Sequence, residues 1–262
     1  MANYGAADVK KLREDTDAPM MECKAALDEA DGDFARAKEI LREKGKAAAA
    51  KRADRATGAG VVAFATEGGY TSGVVFECET DFVALNPEFV AYAQRAAAVG
   101  LEEHPQAKFE AIATEATAKF RENSKVARHV VLEGNVLTYV HHDKTKGSAI
   151  VVEGDASEAT RKVAIQIVAF PPEVLTKEEL SQEKLEAELK IEIERAIQEG
   201  KPENIAKNIA QGRINKEFVK QVVLLEQPFY ADGSKSVSQY LAEEAKGSTV
   251  TGFAYLAVGQ GS

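Results

Sequence analysis

The sequence predicts an α+β protein: a small N-terminal three-helix bundle, a core of two related ββα-type halves, and an inserted antiparallel helical hairpin. Three observations predict it. Apolar residues fall at helical spacing through residues 1–45. The order strand–strand–helix occurs twice, near 61–99 and 126–168. Two charged helices with narrow apolar seams then meet at Gly200-Lys201-Pro202, which forces a turn.

The first helix is expected over 6–14, with Val9 and Leu12 three apart. The second follows Thr16-Asp17-Ala18-Pro19 and carries Met20, Cys23, Leu27 and Ala30 on one stripe. Asp31-Gly32 turns the chain and Asp33 suits an N-cap. Phe34, Ala37, Ile40 and Leu41 mark a third helix, which Gly45 is expected to stop. So small a bundle buries little surface, and its expected task is docking. Residues 46–60 read as a basic, partly helical linker, with Lys46, Lys51, Arg52 and Arg55 against Asp54.

Residues 61–140 are expected to form the first core half. Segments 61–66 and 70–79 flank Glu67-Gly68-Gly69, a hairpin signal. Asn86-Pro87-Glu88 opens a helix, with Asn at the N-cap and Pro at N1. Leu85 and Val90 occupy the hydrophobic-staple positions. Another helix is expected over 106–121, then strand–turn–strand over 126–141 around Glu133-Gly134-Asn135. Residues 141–176 and 221–262 make the second half and C-terminal segment: a strand over 148–152, helices over 157–168 and 237–245, and a closing strand over 249–258. Val74-Val75-Phe76-Glu77 and Ile150-Val151-Val152-Glu153 carry a faint internal repeat. Residues 177–220 hold the hairpin, striped by Leu185, Leu189, Ile193 and Ala196 on one helix and by Ile205 and Ile209 on the other.

Composition narrows the function. An apolar fraction of 45 % is too high for a disordered chain. A net charge of −9 argues against general nucleic-acid binding, which needs a basic footprint, and against a polybasic membrane anchor. No apolar run is long enough to span a membrane, and the N-terminus reads as neither signal nor transit peptide. A cytoplasmic protein is expected, with Cys23 and Cys78 unpaired. Gly58-Ala59-Gly60-Val61-Val62-Ala63 fits G-x-G-x-x-A, but it precedes a strand and does not open a helix, so no dinucleotide site is expected. His141 and His142 are adjacent and no ligand set surrounds them, so no metal is expected. With no nucleophile signature and no cofactor motif, the chain reads as a non-enzyme.

One segment stands out. Thr80-Asp81-Phe82-Val83 lies between a strand end and a well-capped helix. Such a turn can present an acid and an aromatic outward on a rigid base. From pattern alone, the simpler expectation is that Phe82 and Val83 pack under the loop.

Glu79-Thr80-Asp81-Phe82-Val83-Ala84 closely resembles a signature segment of the bacterial elongation factor Ts family, the nucleotide exchange factors of elongation factor Tu. Val9-Lys10-Lys11-Leu12-Arg13-Glu14 followed by Met20-Met21-Glu22-Cys23-Lys24-Ala25-Ala26-Leu27 is similar to the family's other signature. Leu132-Glu133-Gly134, Tyr139-Val140-His141, Gly200-Lys201-Pro202, Gln211-Gly212-Arg213 and Gln227-Pro228-Phe229 extend the resemblance, in order, over nearly the whole chain.

The resemblance implies a ubiquitin-associated-like N-terminal module and a partner, elongation factor Tu. It implies that Thr80, Asp81, Phe82 and Val83 enter the partner's G domain near its magnesium, with His141 packed beside the Phe. It also implies that Arg13, Met20 and Met21 touch the side that holds the guanine base, and it leaves open a homodimer through the core or the helical hairpin. Three positions depart from the family pattern. Thr16-Asp17-Ala18-Pro19 replaces Thr-Gly-Ala-Gly, Phe120-Arg121 replaces Ile-Gly, and His142 is an extra histidine.

Overall fold

The computed structural model describes residues 3–16 and 18–260. Helices α1 (Ala6–Thr16), α2 (Met20–Glu29) and α3 (Phe34–Ala50) pack around Leu12, Cys23, Leu27, Ala37 and Ile40. Asp33 caps α3 by accepting from the Arg36 N–H at 3.0 Å. Gly45 does not stop α3, which runs on through Ala47–Ala50, four strong helix formers. The glycine has another use: a Cβ there would lie 3.3 Å from the Ala118 Cβ, where α3 crosses the core.

The core is α+β in four layers. One sheet has the order β1–β2–β3, with β1 (Ala59–Glu67), β2 (Tyr70–Cys78) and β3 (Lys125–Glu133). The other has the order β4–β5–β8, with β4 (Val136–Val140), β5 (Lys146–Glu153) and β8 (Thr249–Ala257). All pairings are antiparallel. The expected strands over 126–141 both form, but they do not pair with each other. The chain changes sheet at Gly134-Asn135, where Gly134 (φ 115°) donates its N–H to Gly69 and Asn135 accepts from Val152.

The sheets meet face to face through Val62, Val75 and Leu256. Outside the first lie α5 (Pro87–Val99) and α6 (Gln106–Phe120), which bury Phe89, Ala93, Phe109 and Ile112 against Val74 and Phe76. Outside the second lie α7 (Glu158–Ala169) and α11 (Val237–Glu244), over Ile150, Val152 and Val250. The repeat extends to backbone detail. β2 shifts register between Val75 and Phe76, and β5 shifts between Val151 and Val152, the same step of the two aligned segments.

Asn86 caps α5 as expected, accepting from the Glu88 N–H at 2.9 Å. The staple does not form, because Leu85 is exposed. Helices α8 (Gln182–Gln198) and α9 (Glu203–Arg213) make the antiparallel hairpin, and α9 continues through a π-helical turn (Ile214–Phe218) into α10 (Val219–Val222). The seam differs from expectation at Ile205, which faces solvent. Ala196 is buried as expected, and Ala206 and Ala210 are buried opposite it, small residues that let the two helices approach closely. Arg213 bonds Glu192 at 3.3 Å and Glu199 at 2.5 Å across the hairpin. A short ribbon, β6 (Pro228–Phe229) with β7 (Asp232–Ser236), leads into α11.

Candidate functional site

Between β2 and α5 stands a single helical turn, α4 (Asp81–Ala84), which has no counterpart between β5 and α7. Thr80 is its N-cap, with Oγ1 accepting from the Val83 N–H at 3.4 Å. Glu122, just past α6, accepts from the Thr80 N–H at 2.9 Å and from its hydroxyl at 2.6 Å. Ala84 is buried and Val83 half-buried against the first core. The turn therefore sends its second position outward, and Phe82 is 85 % exposed. The expectation that Phe82 packs under the loop fails: in a one-turn helix with Val83 and Ala84 facing the sheet, Phe82 has only solvent to face. Asp81 is also exposed, and Leu85 beside it is 71 % exposed. An acid and two apolar side chains thus project from one rigid base.

Asp81, Ala84 and Leu85 line a cleft of about 410 Å³ with His142, Lys144 and Val258. The histidine in this cleft is His142. His141 is half-buried, its Nδ1 3.1 Å from the Tyr139 hydroxyl, and its ring centroid is 4.3 Å from that of His142. Cys78 ends β2 beneath the turn, and its thiol donates to the Thr80 carbonyl at 3.2 Å. Burial pushes that thiol up to about 12, so it stays protonated. Cys23 and Cys78 are both free and buried.

The second expected contact face lies on the helical module. Met20 and Met21 open α2, and Met21 is 74 % exposed; Arg13 is exposed in the last turn of α1. Asp17, between them in sequence, lies outside the described residues. The module is fastened to the core beside α6: Glu22 of α2 pairs with Arg121, and α3 crosses at Gly45. Arg121 takes the left-handed conformation (φ 60°, ψ 22°) that glycine adopts most easily. Phe120 packs edge-on against Phe89, 5.6 Å between centroids.

The sequence did not mark out Glu122 or Asn123. An acid and an amide just past a helix end look like a solvated turn, and their partners lie more than forty positions away. Among the described residues no three His, Cys, Asp or Glu side chains are placed to hold a metal ion, and no helix is long and apolar enough to cross a membrane.

Residues 79–260, beginning at the strand end that carries this turn, match the family model described as Elongation factor TS. The chain belongs to the elongation factor Ts family. Curated Elongation factor Ts proteins agree over the full length, helical module included. That of Nocardia farcinica is 42 % identical over 99 % of this chain and 100 % of its own. That of Saccharopolyspora erythraea is 41 % identical over the same shares. That of Klebsiella pneumoniae is 38 % identical over 100 % of this chain and 93 % of its own. As a member of that family, the chain is a translation elongation factor of a nucleotide-exchange family.

Proposed function

We propose that this chain binds elongation factor Tu and accelerates release of its GDP by placing Asp81 and Phe82 against the magnesium and phosphate side of the partner's G domain. The observation that carries the reading is Phe82: a large aromatic, 85 % exposed, on a turn braced from behind by Thr80, Val83 and Ala84. Val83 and Thr80 brace, Asp81 and Phe82 enter, and the His141–His142 pair flanks the cleft beside them. Arg13, Met20 and Met21 make a second contact near the base.

Such exchange needs no covalent chemistry and no cofactor of this chain's own. A protein that binds the nucleotide-free partner more tightly weakens nucleotide binding by the same factor. Burying one Phe side chain contributes about 1.5–3 kcal/mol, or roughly one to two decades in an equilibrium constant. Greater acceleration requires the acid at the magnesium side and the contacts at the base as well.

The test is stopped-flow release of labelled GDP from elongation factor Tu. Phe82→Ala is expected to lower the acceleration by about tenfold or more while a stoichiometric complex still forms. Undiminished release with binding intact overturns the proposal.

A further inference from the structure

We infer that Glu122 is a positioning residue that holds the Asp81-Phe82 turn ready for the partner, an inference that rests on the exchange role proposed for that turn. A helix of one turn is unstable alone, because nucleation fixes several residues for one hydrogen bond. Phe82 and Leu85 cannot anchor it, since both face solvent. Val83 and Ala84 hold one side against the core. On the other side Glu122 takes both donors of Thr80, the N–H at 2.9 Å and the hydroxyl at 2.6 Å. The hydroxyl has a single proton. With that proton given to Glu122, the oxygen presents its lone pairs to the Val83 N–H, 3.4 Å away. A directional chain results: Val83 N–H to Thr80 Oγ1–H to the Glu122 carboxylate.

The bonding is reciprocal one residue along. Glu79 accepts from the Asn123 N–H at 2.7 Å, so 79–80 and 122–123 grip each other in both directions. The Asn123 side-chain amide donates to the carbonyls of Ala53 at 3.1 Å and Arg55 at 2.7 Å, tying the linker into the same clasp. Closing the turn from α6 to β3 does not need Glu122, because the Ser124 N–H bonds Thr117 Oγ1 at 3.1 Å. What Glu122 adds is control of residue 80. A carboxylate accepts from both donors at once; an amide there can keep the N–H bond but must reverse the other, donating to the Thr80 hydroxyl and leaving that hydroxyl's proton without its charged acceptor. Hydrogen bonds to a charged acceptor are also the stronger kind. Holding a contact group in its bound pose lowers the ordering cost of binding.

The chain contains no tryptophan, so Phe82→Trp places a sole indole on the turn. Time-resolved fluorescence anisotropy of that variant is compared with the same variant carrying Glu122→Gln. Faster local motion of the indole in the double variant is expected. With Phe82 retained, Glu122→Gln is expected to lower the acceleration of GDP release about tenfold, the order of one charge-assisted hydrogen bond, with its thermal midpoint little changed. Thr80→Val reproduces the loss, and Thr80→Ser, which keeps the hydroxyl, exchanges faster than Thr80→Val. Unchanged anisotropy and exchange in Glu122→Gln, alongside a damaging Phe82→Ala, overturn the positioning role and leave the wedge standing. A harmless Phe82→Ala removes the wedge, and the anisotropy then decides whether Glu122 holds the turn. If Glu122→Gln does not fold, Thr80→Val decides against Thr80→Ser: equal exchange in the two overturns the inference.

Discussion

Arg121 reaches Glu22 across the junction between core and helical module, and it does so from a left-handed backbone. That conformation costs a residue with a Cβ about 1–2 kcal/mol. Both side chains are more than a third exposed, and a pair of that kind returns about 0–1 kcal/mol. The strain is therefore only partly offset, and what the pair supplies is the seating of α2 against the end of α6.

Arg121→Gly is accordingly expected to melt about 2–4 °C above Arg121→Ala, since only glycine releases the strain. Both variants lose the tie to Glu22, so both should be cleaved faster than wild type in the linker, residues 51–58. Thermal denaturation and limited proteolysis measure the two effects separately.

Phe82 and Phe89 should behave as opposites. Phe89 is fully buried, 4.9 Å from Phe76 between ring centroids. Phe89→Ala is expected to cost about 3–5 kcal/mol of stability. Phe82→Ala should change stability by less than about 0.5 kcal/mol and affect exchange alone. Urea denaturation midpoints distinguish them.

Gly60→Ala is expected to destabilise the first sheet by about 1–3 kcal/mol. A Cβ at position 60 would stand 2.4 Å from the Phe76 carbonyl oxygen and 2.8 Å from the Glu77 Cα, both backbone. The glycine in the G-x-G-x-x-A string is thus a strand residue paired with Glu77. Nucleotide should not protect the variant in a thermal shift measurement.

His129 gives the fold a pH dependence. Burial holds its imidazole below the usual histidine range, outweighing the hydrogen bond to the Gly100 carbonyl at 3.1 Å. The unfolded chain then takes up a proton at a higher pH than the folded one. Stability from this group is complete above the ordinary histidine value of 6.5 and is lost as pH falls below it toward the depressed folded value. His129→Gln should flatten that part of the profile of denaturation midpoint against pH.

Local pattern made the helices and strands legible, because periodicity and caps act within a few residues. Asp33 and Asn86 both cap the helices expected after them. Pattern failed where a distant segment decides. Gly45 looks like a helix stop until Ala118 is beside it. Leu85, just before the N-cap of α5, and Ile205 on α9 sit where pattern expects apolar contacts, yet both are exposed. Phe82 is the hardest position to read: four residues carry no periodicity, so pattern allows an outward aromatic but favours a packed one, and the resemblance is what turns the reading outward. Glu122 was invisible because its meaning lies in the two donors of Thr80.

The order of strands along the chain has a consequence during synthesis. The first sheet uses β1, β2 and β3, so every residue it needs has been made once Glu133 is joined. The second cannot close until β8 pairs with β5, Lys146 opposite Ala257, after the whole hairpin has been translated. A nascent chain can therefore finish the half that bears Phe82 while the other half still waits for its third strand. The apolar face of the first sheet, later covered by Leu256, is bare during that interval, and it is there that a chaperone would find the growing polypeptide.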